Sequence, residues 1–441
     1  MKMTPFQMIV MGLFGFAAFA AVGVLAGFIP LPQSANEKIK GNIIAWGTID
    51  QDAFKFTESI ILSSSKNIRF SYVQKSPVNF ESALSEAIAS GKGPDIIIIS
   101  QEQILRNKSK IAIQPIDPAT TLSYKNTYLN GAELFITTEG LVALPLAVNP
   151  LVMFYNDRLL TSAGFSKPPK FWDEIQTYVD ALTIKNDNKD IERSAVALGT
   201  FENMTYPLDI LSTLILQTGN KIVGSKVDVD QNTNAQFTLY TSSLASNSTK
   251  QVFDFFNAFS NPQKKLYSWN KSLPDDLSAF TSELTTFWFG YPTDENRIRA
   301  KNPNLNYKVT SVPQIRNSSN RSTYGKIYGA AVLKSSRNIA AARIIQSKLI
   351  TGGPQEIIVR DSGLQYPYRT TPQIALNSDK NVLFAQQAIQ TVGYYMPSFD
   401  FVYSLFYSII NQIASGEIST ENGVNKIEAE LNNYISKNQL N

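Results

Sequence analysis

Residues 140–175 read GLVALPLAVNPLVMFYNDRLLTSAGFSKPPKFWDEI, and the order of elements in this stretch governs the reading of the whole chain. Its first half, 141–155, is rich in Val, Leu and Phe and interrupted by Pro145 and Pro150, the pattern of extended chain that runs through a sheet and then passes between two bodies. A continuous apolar strand without alternation implies cover on both faces. Asn156 then stands where it can cap a short helix whose Leu159, Leu160 and Ala163 share one face, and Gly164 where a left-handed residue ends it. Pro168 and Pro169 close that element. Trp172, Ile175 and Val179 return at helical spacing, with Asp173 and Glu174 in the first turn, where the helix dipole favours negative charge.

The same grammar extends in both directions. Upstream, IIAWG at 43–47 is a short strand ending in glycine, 53–62 is helical, 68–72 is a second strand, and 80–90 is a helix carrying Ala83, Leu84, Ala87 and Ile88. GKGPDIIIIS at 91–100 follows, with Gly93 and Pro94 making the turn and four isoleucines too apolar to face water on either side. Strand, helix, strand alternation of this kind predicts a doubly wound α/β body with a mostly parallel sheet. Downstream, Leu208, Leu211, Leu214 and Ile215 mark a helix that ends in TGNKIVG. LSAFTSELTTFWFGYPTDENRI spans 277–298, and GKIYGAAVLKSSRNIAAARIIQSKL spans 325–349. Near the end, Val402, Leu405, Phe406, Ile409 and Ile413 trace a buried helical stripe, and Val424, Ile427 and Leu431 another. DVDQNTN at 228–234 opens like a calcium loop, but its sixth position is Thr233 and its twelfth Leu239, so no calcium site is expected.

These blocks, in this order and spacing, resemble the family 1 extracellular solute-binding proteins of the maltose-binding type. The resemblance covers nearly all of the chain after residue 41. It implies a two-lobed, periplasmic-binding-protein-like type II clamshell of α/β architecture, with lobe 1 formed by 42–147 plus 332–378 and lobe 2 by 148–331 plus 379–441. One departure concerns Phe171, where the family usually places a threonine whose hydroxyl caps the helix. The family also implies a ligand cleft between the lobes, which nominates Trp46, Gln101, Asn149, Tyr206, Tyr291, Tyr328 and Tyr395. Gln101 follows the isoleucine strand together with Ser100 and Glu102; each has an ordinary reading as a loop or capping residue. Asn149 has an amide that both donates and accepts, and equally suits the turn before Pro150. Tyrosine and tryptophan suit sugars, whose C–H faces are apolar and whose rims hydrogen-bond. Alternation turns at most half of Phe287, Trp288, Phe289 and Tyr291 towards a cleft, and the rest belong to the core.

Composition narrows the chemistry. The 441 residues are ample for two lobes of roughly 200 each. Lys and Arg total 40 against 36 Asp and Glu, so charge gives no case for nucleic acid. The chain has no cysteine and no histidine, which removes Cys and His zinc sites, cysteine nucleophiles, His-dependent triads and disulfides. No cofactor is expected. Residues 8–29 are 22 positions without a charge, between Lys2 and the pair Pro30 and Pro32. As a helix they would extend about 33 Å, enough for a bilayer core. This run exceeds a usual signal h-region and reads as an uncleaved anchor in preference to a cleaved signal, with 33–41 a polar linker. The folded part would then stand outside the cytoplasm at the cell membrane.

The expected function is capture of a small ligand, sugar or oligosaccharide above others, and its delivery to the permease subunits of an ABC importer. Two other classes fit the same sequence. One is a membrane-anchored sensor or scaffold with the same clamshell. The other is a carboxylate-based glycosidase drawing on Asp95, Glu102 and Asp173, which form no pair at a defensible spacing.

Overall fold

In the computed structural model, which describes residues 39–64, 67–229, 235–241 and 244–438, the alternation read from the sequence becomes two large sheets, of six and five strands, beside two two-stranded ones. In chain order the strands that matter are β1 (Gly41–Gly47), β2 (Ile68–Gln74), β3 (Ile96–Ser100), β4 (Leu144–Pro150), β5 (Val152–Asn156), β6 (Ile184–Lys185), β7 (Ile191–Val196), β8 (Thr285–Gly290), β9 (Tyr307–Thr310), β10 (Thr323–Val332) and β11 (Thr391–Val392). The apolar run 8–29 and most of DVDQNTN lie outside the described residues. No helix among the described residues is long and apolar enough to cross a membrane.

The first sheet has the order β11-β10-β3-β1-β2, with β4 also paired to β10. β1 lies parallel to both β2 and β3, from Gly41 opposite Ile68 to Gly47 opposite Gln74 and from Ala45 opposite Ile96 to Gly47 opposite Ile98. The helices Lys55–Ser64 and Phe80–Ala89 make the crossovers that parallel pairing requires. All five residues of β3 are buried, as the unbroken isoleucine run demands. β10 runs antiparallel to β3 on one side and to β4 on the other, with a register shift between Tyr328 and Gly329.

The second sheet has the order β9-β5-β8-β7-β6. β5 is antiparallel to β8 and β9, while β7 is parallel to β8. All six residues of β8 are buried, and Trp288 is fully enclosed, its ring 5.4 Å from that of Phe154 and 5.9 Å from that of Phe280. Trp288 is therefore core, the fate that alternation allots to half of that strand.

Leu151 alone separates β4 in the first sheet from β5 in the second, and it is fully buried. The chain thus passes between the bodies inside the block quoted at the outset. It passes again between β9 and β10. Further on, Gln365 pairs with Val148, the helix Asp379–Ile389 sends Phe384 into the Trp288 cluster, and Thr391–Val392 rejoins β10. The helix Phe399–Ala414 then buries Val402, Phe406, Ile409 and Ile410.

The local signals of 140–175 act as their chemistry implies. Asn156 Oδ1 accepts from the Leu159 amide at 3.0 Å, and Gly164 has φ of +86°. Phe171 lacks a capping hydroxyl, and the Glu174 amide donates to the Phe171 carbonyl at 3.1 Å. One Glu174 carboxylate oxygen in turn accepts from the amides of Lys170 at 2.8 Å and Phe171 at 3.3 Å. Arg316 stacks on the Phe171 ring at 4.1 Å and pairs with Asp173 at 2.6 Å and Glu174 at 2.7 Å. The helix start is thus held by backbone and by the returning Glu174 carboxylate, without a side-chain cap from position 171.

Candidate functional site

β1 has its two parallel neighbours on opposite sides, so the connections leaving β1 and β3 diverge, and the crevice outside their carboxyl ends is the favoured place for a ligand. Ser100, at the end of β3, starts the short turn Gln101–Gln103. That turn points consecutive side chains in different directions. Gln101 goes inward, fully buried, where its Nε2 donates to the Gly325 carbonyl at 2.9 Å and its Oε1 accepts from the Ile327 amide at 2.7 Å. It thereby ties β3 to β10 through main-chain groups. Glu102 goes outward, accepting from the Tyr324 hydroxyl at 2.7 Å and facing Lys326 Nζ at 3.5 Å.

Lys326 sits in β10 directly opposite Asn149 in β4. Its side chain keeps a quarter of its exposure. Burial works against its charge, but the Glu102 and Asp209 carboxylates outweigh that cost and hold the ammonium protonated. Asn149 is buried; its Nδ2 donates to Thr293 Oγ1 at 3.0 Å, joining β4 to the turn after β8, while its Oδ1 has no partner.

The second body supplies the opposite wall. Asp209 lies in the first turn of the helix Pro207–Gln217, is 4% exposed, and accepts from the Tyr291 hydroxyl at 2.8 Å. Burial pushes its carboxyl up to about 6, with Lys326 opposing and Glu102 adding to the rise. The Tyr291 ring meets that of Tyr206 edge to face at 4.9 Å. Asp294 knits this corner together: it accepts from the Tyr206 hydroxyl at 3.0 Å, the Tyr291 amide at 2.9 Å and Arg297 at 2.8 Å. Tyr328 is half-buried in β10, and the charges of Lys326, Glu102, Asp209 and Asp294 all act on its hydroxyl. A cavity of about 480 Å³ is lined by Pro292, Glu295, Arg360, Gln365, Lys380 and Phe384 among others, and Glu102, Asn149, Tyr206, Asp209, Tyr291, Lys326 and Tyr328 do not line it. That volume is within the range of small-molecule sites.

Of the residues nominated from the sequence, the structure brings Asn149, Tyr206, Tyr291 and Tyr328 into one cluster. Trp46 stands at the carboxyl end of β1, half-buried, with Lys75 Nζ 3.8 Å over its ring. Gln101 has its amide engaged by backbone. Tyr395 is buried, its hydroxyl donating to the Ile136 carbonyl at 3.4 Å. It lines two adjoining cavities, of about 260 and 400 Å³, which Glu102, Asn149, Asp209, Tyr291 and Lys326 do not line. Among the carboxylates weighed for hydrolysis, Asp95 accepts from the Ile44 amide at 3.0 Å and from Ser336 at 2.6 Å, and Asp173 is the surface partner of Arg316. Only Glu102 reaches the cluster.

Sequence reasoning missed Lys326 and Asp209. Both carried a signal. Lys326 is the one charge in a strand of ten residues, TYGKIYGAAV, otherwise suited to burial, and Asp209 is the one charge in the apolar helix PLDILSTLILQ. A lone charge in a buried element requires a partner or a ligand. Among the described residues no group of His, Cys, Asp or Glu is placed to hold a metal ion.

Comparison with known proteins bears on the family and the fold. The family model of the bacterial extracellular solute-binding protein matches residues 65–343. A maltotriose-binding protein of Pyrococcus abyssi is 25% identical over 153 residues, which are 34% of this chain and 32% of that protein. The chain thus aligns with about a third of the length of that relative. A cyclo/maltodextrin-binding protein solved with maltotetraose superposes with a TM-score of 0.69 at 16% identity, covering 89% of this chain and 97% of the other. The GacH receptor of Streptomyces glaucescens, solved unliganded and with acarbose and an acarbose homolog, superposes with a TM-score of 0.68 at 14% identity, covering 90% and 99%. The architecture is therefore the two-lobed, type II periplasmic-binding fold. With its family model matched over more than half its length, the chain belongs to the bacterial extracellular solute-binding proteins.

Proposed function

We propose that this protein captures a neutral oligosaccharide between its lobes and presents it to the permease subunits of an ABC importer. The observation that carries the proposal is the cluster of Glu102, Asn149, Asp209, Tyr206, Tyr291 and Lys326, to which both bodies contribute. Each wall by itself holds polar groups that a sugar's hydroxyls can bridge, with tyrosine rings at the margin. The Pyrococcus relative's maltotriose and the structural relatives' maltotetraose and acarbose support the ligand class.

The site in this reading consists of Asn149, Tyr206, Tyr291 and Tyr328 with Glu102, Asp209 and Lys326, and Trp46 stands at its rim. Gln101 and Tyr395 act as supports. The moving parts are 42–147 plus 332–378 against 148–331 plus 379–441, turning about the β4 and β10 pair. Ligand bridging both walls favours the closed form by its differential affinity for it, and closure is what the permease reads. Residues 8–29 anchor the protein to the membrane, with the folded part on the outer side.

A thermal-shift screen tests this. A ligand at 100 times its dissociation constant adds about 2.7 kcal/mol of stability. Maltotriose or maltotetraose should raise the melting temperature of the purified protein, and no shift with any neutral oligosaccharide would remove the sugar reading.

A further inference from the structure

The cluster carries more carboxylates than cations. Three of its tyrosines direct their hydroxyls at carboxylates: Tyr291 donates to Asp209, Tyr206 to Asp294 and Tyr324 to Glu102. Thr293 accepts from Asn149 Nδ2. Arg297 is taken by Asp294. In the proposed site the Asn149 Oδ1 is buried and unpartnered, and the carboxylates of Glu102 and Asp209 stand with the single ammonium of Lys326, whose Nζ lies 3.5 Å from Glu102 and 5.9 Å from the centre of the Tyr291 ring. Asp294 with Arg297 is balanced, and Glu102 with Lys326 is balanced, so the floor retains the charge of Asp209.

We infer that the site takes ligands that are neutral or positively charged, such as an oligosaccharide carrying a basic amine, and rejects anionic sugars, with Asp209 as the residue that sets this selectivity. The inference rests on the carbohydrate reading of the site. An anionic ligand would place its charge beside two carboxylates held by buried tyrosine hydroxyls, with one ammonium to offset it. An ammonium or a hydroxyl supplies what the Asn149 oxygen and the carboxylates lack. Tyr291 donates to Asp209, and the titratable groups that interact with it electrostatically from the surrounding elements are Tyr206, Lys326, Glu102, Tyr324, Tyr328, Tyr394 and Tyr403. Lys326 is the only cation among them, and it lies directly opposite Asn149.

A matched series tests the inference by isothermal titration on the full-length protein: maltotriitol, 1-amino-1-deoxymaltotriitol and maltotrionate, which share two intact rings and differ in the charge of the open end. The expected order is amine, then neutral, then acid, with about tenfold or more between amine and acid at pH 7.5 and low salt. The ratio should shrink at pH 5, as Asp209 takes up a proton. It should shrink also in Asp209→Asn, and widen in Lys326→Gln, each verified as folded by its melting transition. Equal affinities across the series in the wild type, or a preference for the acid, would overturn the charge selectivity and leave the sugar reading standing. An amine preference that Asp209→Asn leaves intact would overturn the assignment to Asp209. Binding of none of the three would overturn the sugar reading and this inference with it.

Discussion

Replacing Gln101 by alanine separates two roles that the sequence could not tell apart. In the structure its amide donates to the Gly325 carbonyl at 2.9 Å and accepts from the Ile327 amide at 2.7 Å, with the side chain fully buried. Gly393 packs against the same side chain, a Cβ there lying 3.0 Å from Gln101 Nε2. The substitution therefore leaves two buried main-chain groups unpaired, at about 1–3 kcal/mol each. A loss of about 4 kcal/mol is a fair centre. At about 2.1 cal/mol/K of unfolding entropy per residue over a folded part of roughly 400 residues, this lowers the melting temperature by about 5 °C. Differential scanning calorimetry of wild type and Gln101→Ala measures it directly. An unchanged transition accompanied by lost oligosaccharide affinity would refute the reasoning and make Gln101 a ligand contact.

Two further substitutions and a pH profile extend the test. Tyr206→Ala removes the ring packed against Tyr291 and the hydroxyl held by Asp294; oligosaccharide affinity measured by titration calorimetry should fall about tenfold or more, and unaltered affinity would take Tyr206 out of the site. Asn149→Ala removes the contact to Thr293 that joins β4 to the turn after β8; ligand affinity should fall about tenfold with the melting temperature little changed, and a lowered melting temperature with unchanged affinity would make Asn149 purely structural. Asp209 and Asp276 are each pushed up to about 6 by burial, above their ordinary 3.8. The folded state thus holds protons that the unfolded chain has already released, so their contribution is greatest below about pH 4 and is lost as pH rises through 6, by up to roughly 3 kcal/mol per group. Carboxylates held low, such as Asp275 and Glu283, act in the opposite direction only at lower pH. The melting temperature should accordingly rise from pH 7 to pH 5, and Asp209→Asn should diminish the rise; a falling profile in that window contradicts the assignment.

Much of the fold was legible because local chemistry and global architecture agree in this chain. The apolar runs of β3, β4 and β5 are buried on both faces as their composition requires, and Asn156 and Gly164 cap and end their helix as their residue types allow. Phe171 shows the limit of reading one position at a time, since without a capping hydroxyl the turn is still held by the Glu174 carboxylate on the Phe171 amide and by Arg316 on its ring. The site was legible only in part. Position after a strand nominates Ser100, Gln101 and Glu102 together, and only the geometry of the turn decides that Gln101 points into the protein and Glu102 towards Lys326. Aromatic residues drew the reading towards Tyr395, whose hydroxyl is held by the Ile136 carbonyl in a separate groove. The charges of the proposed site were hidden because each is embedded in an apolar element, and their partners are remote in sequence: Glu102 for Lys326 and Tyr291 for Asp209.

The account stands or falls on closure around a neutral oligosaccharide. Small-angle X-ray scattering of the purified protein with and without saturating maltotetraose measures it. The account predicts a decrease in the radius of gyration on adding the sugar, absent in Tyr206→Ala at the same concentration. Binding of maltotetraose without contraction, or no binding of any neutral oligosaccharide, would contradict it.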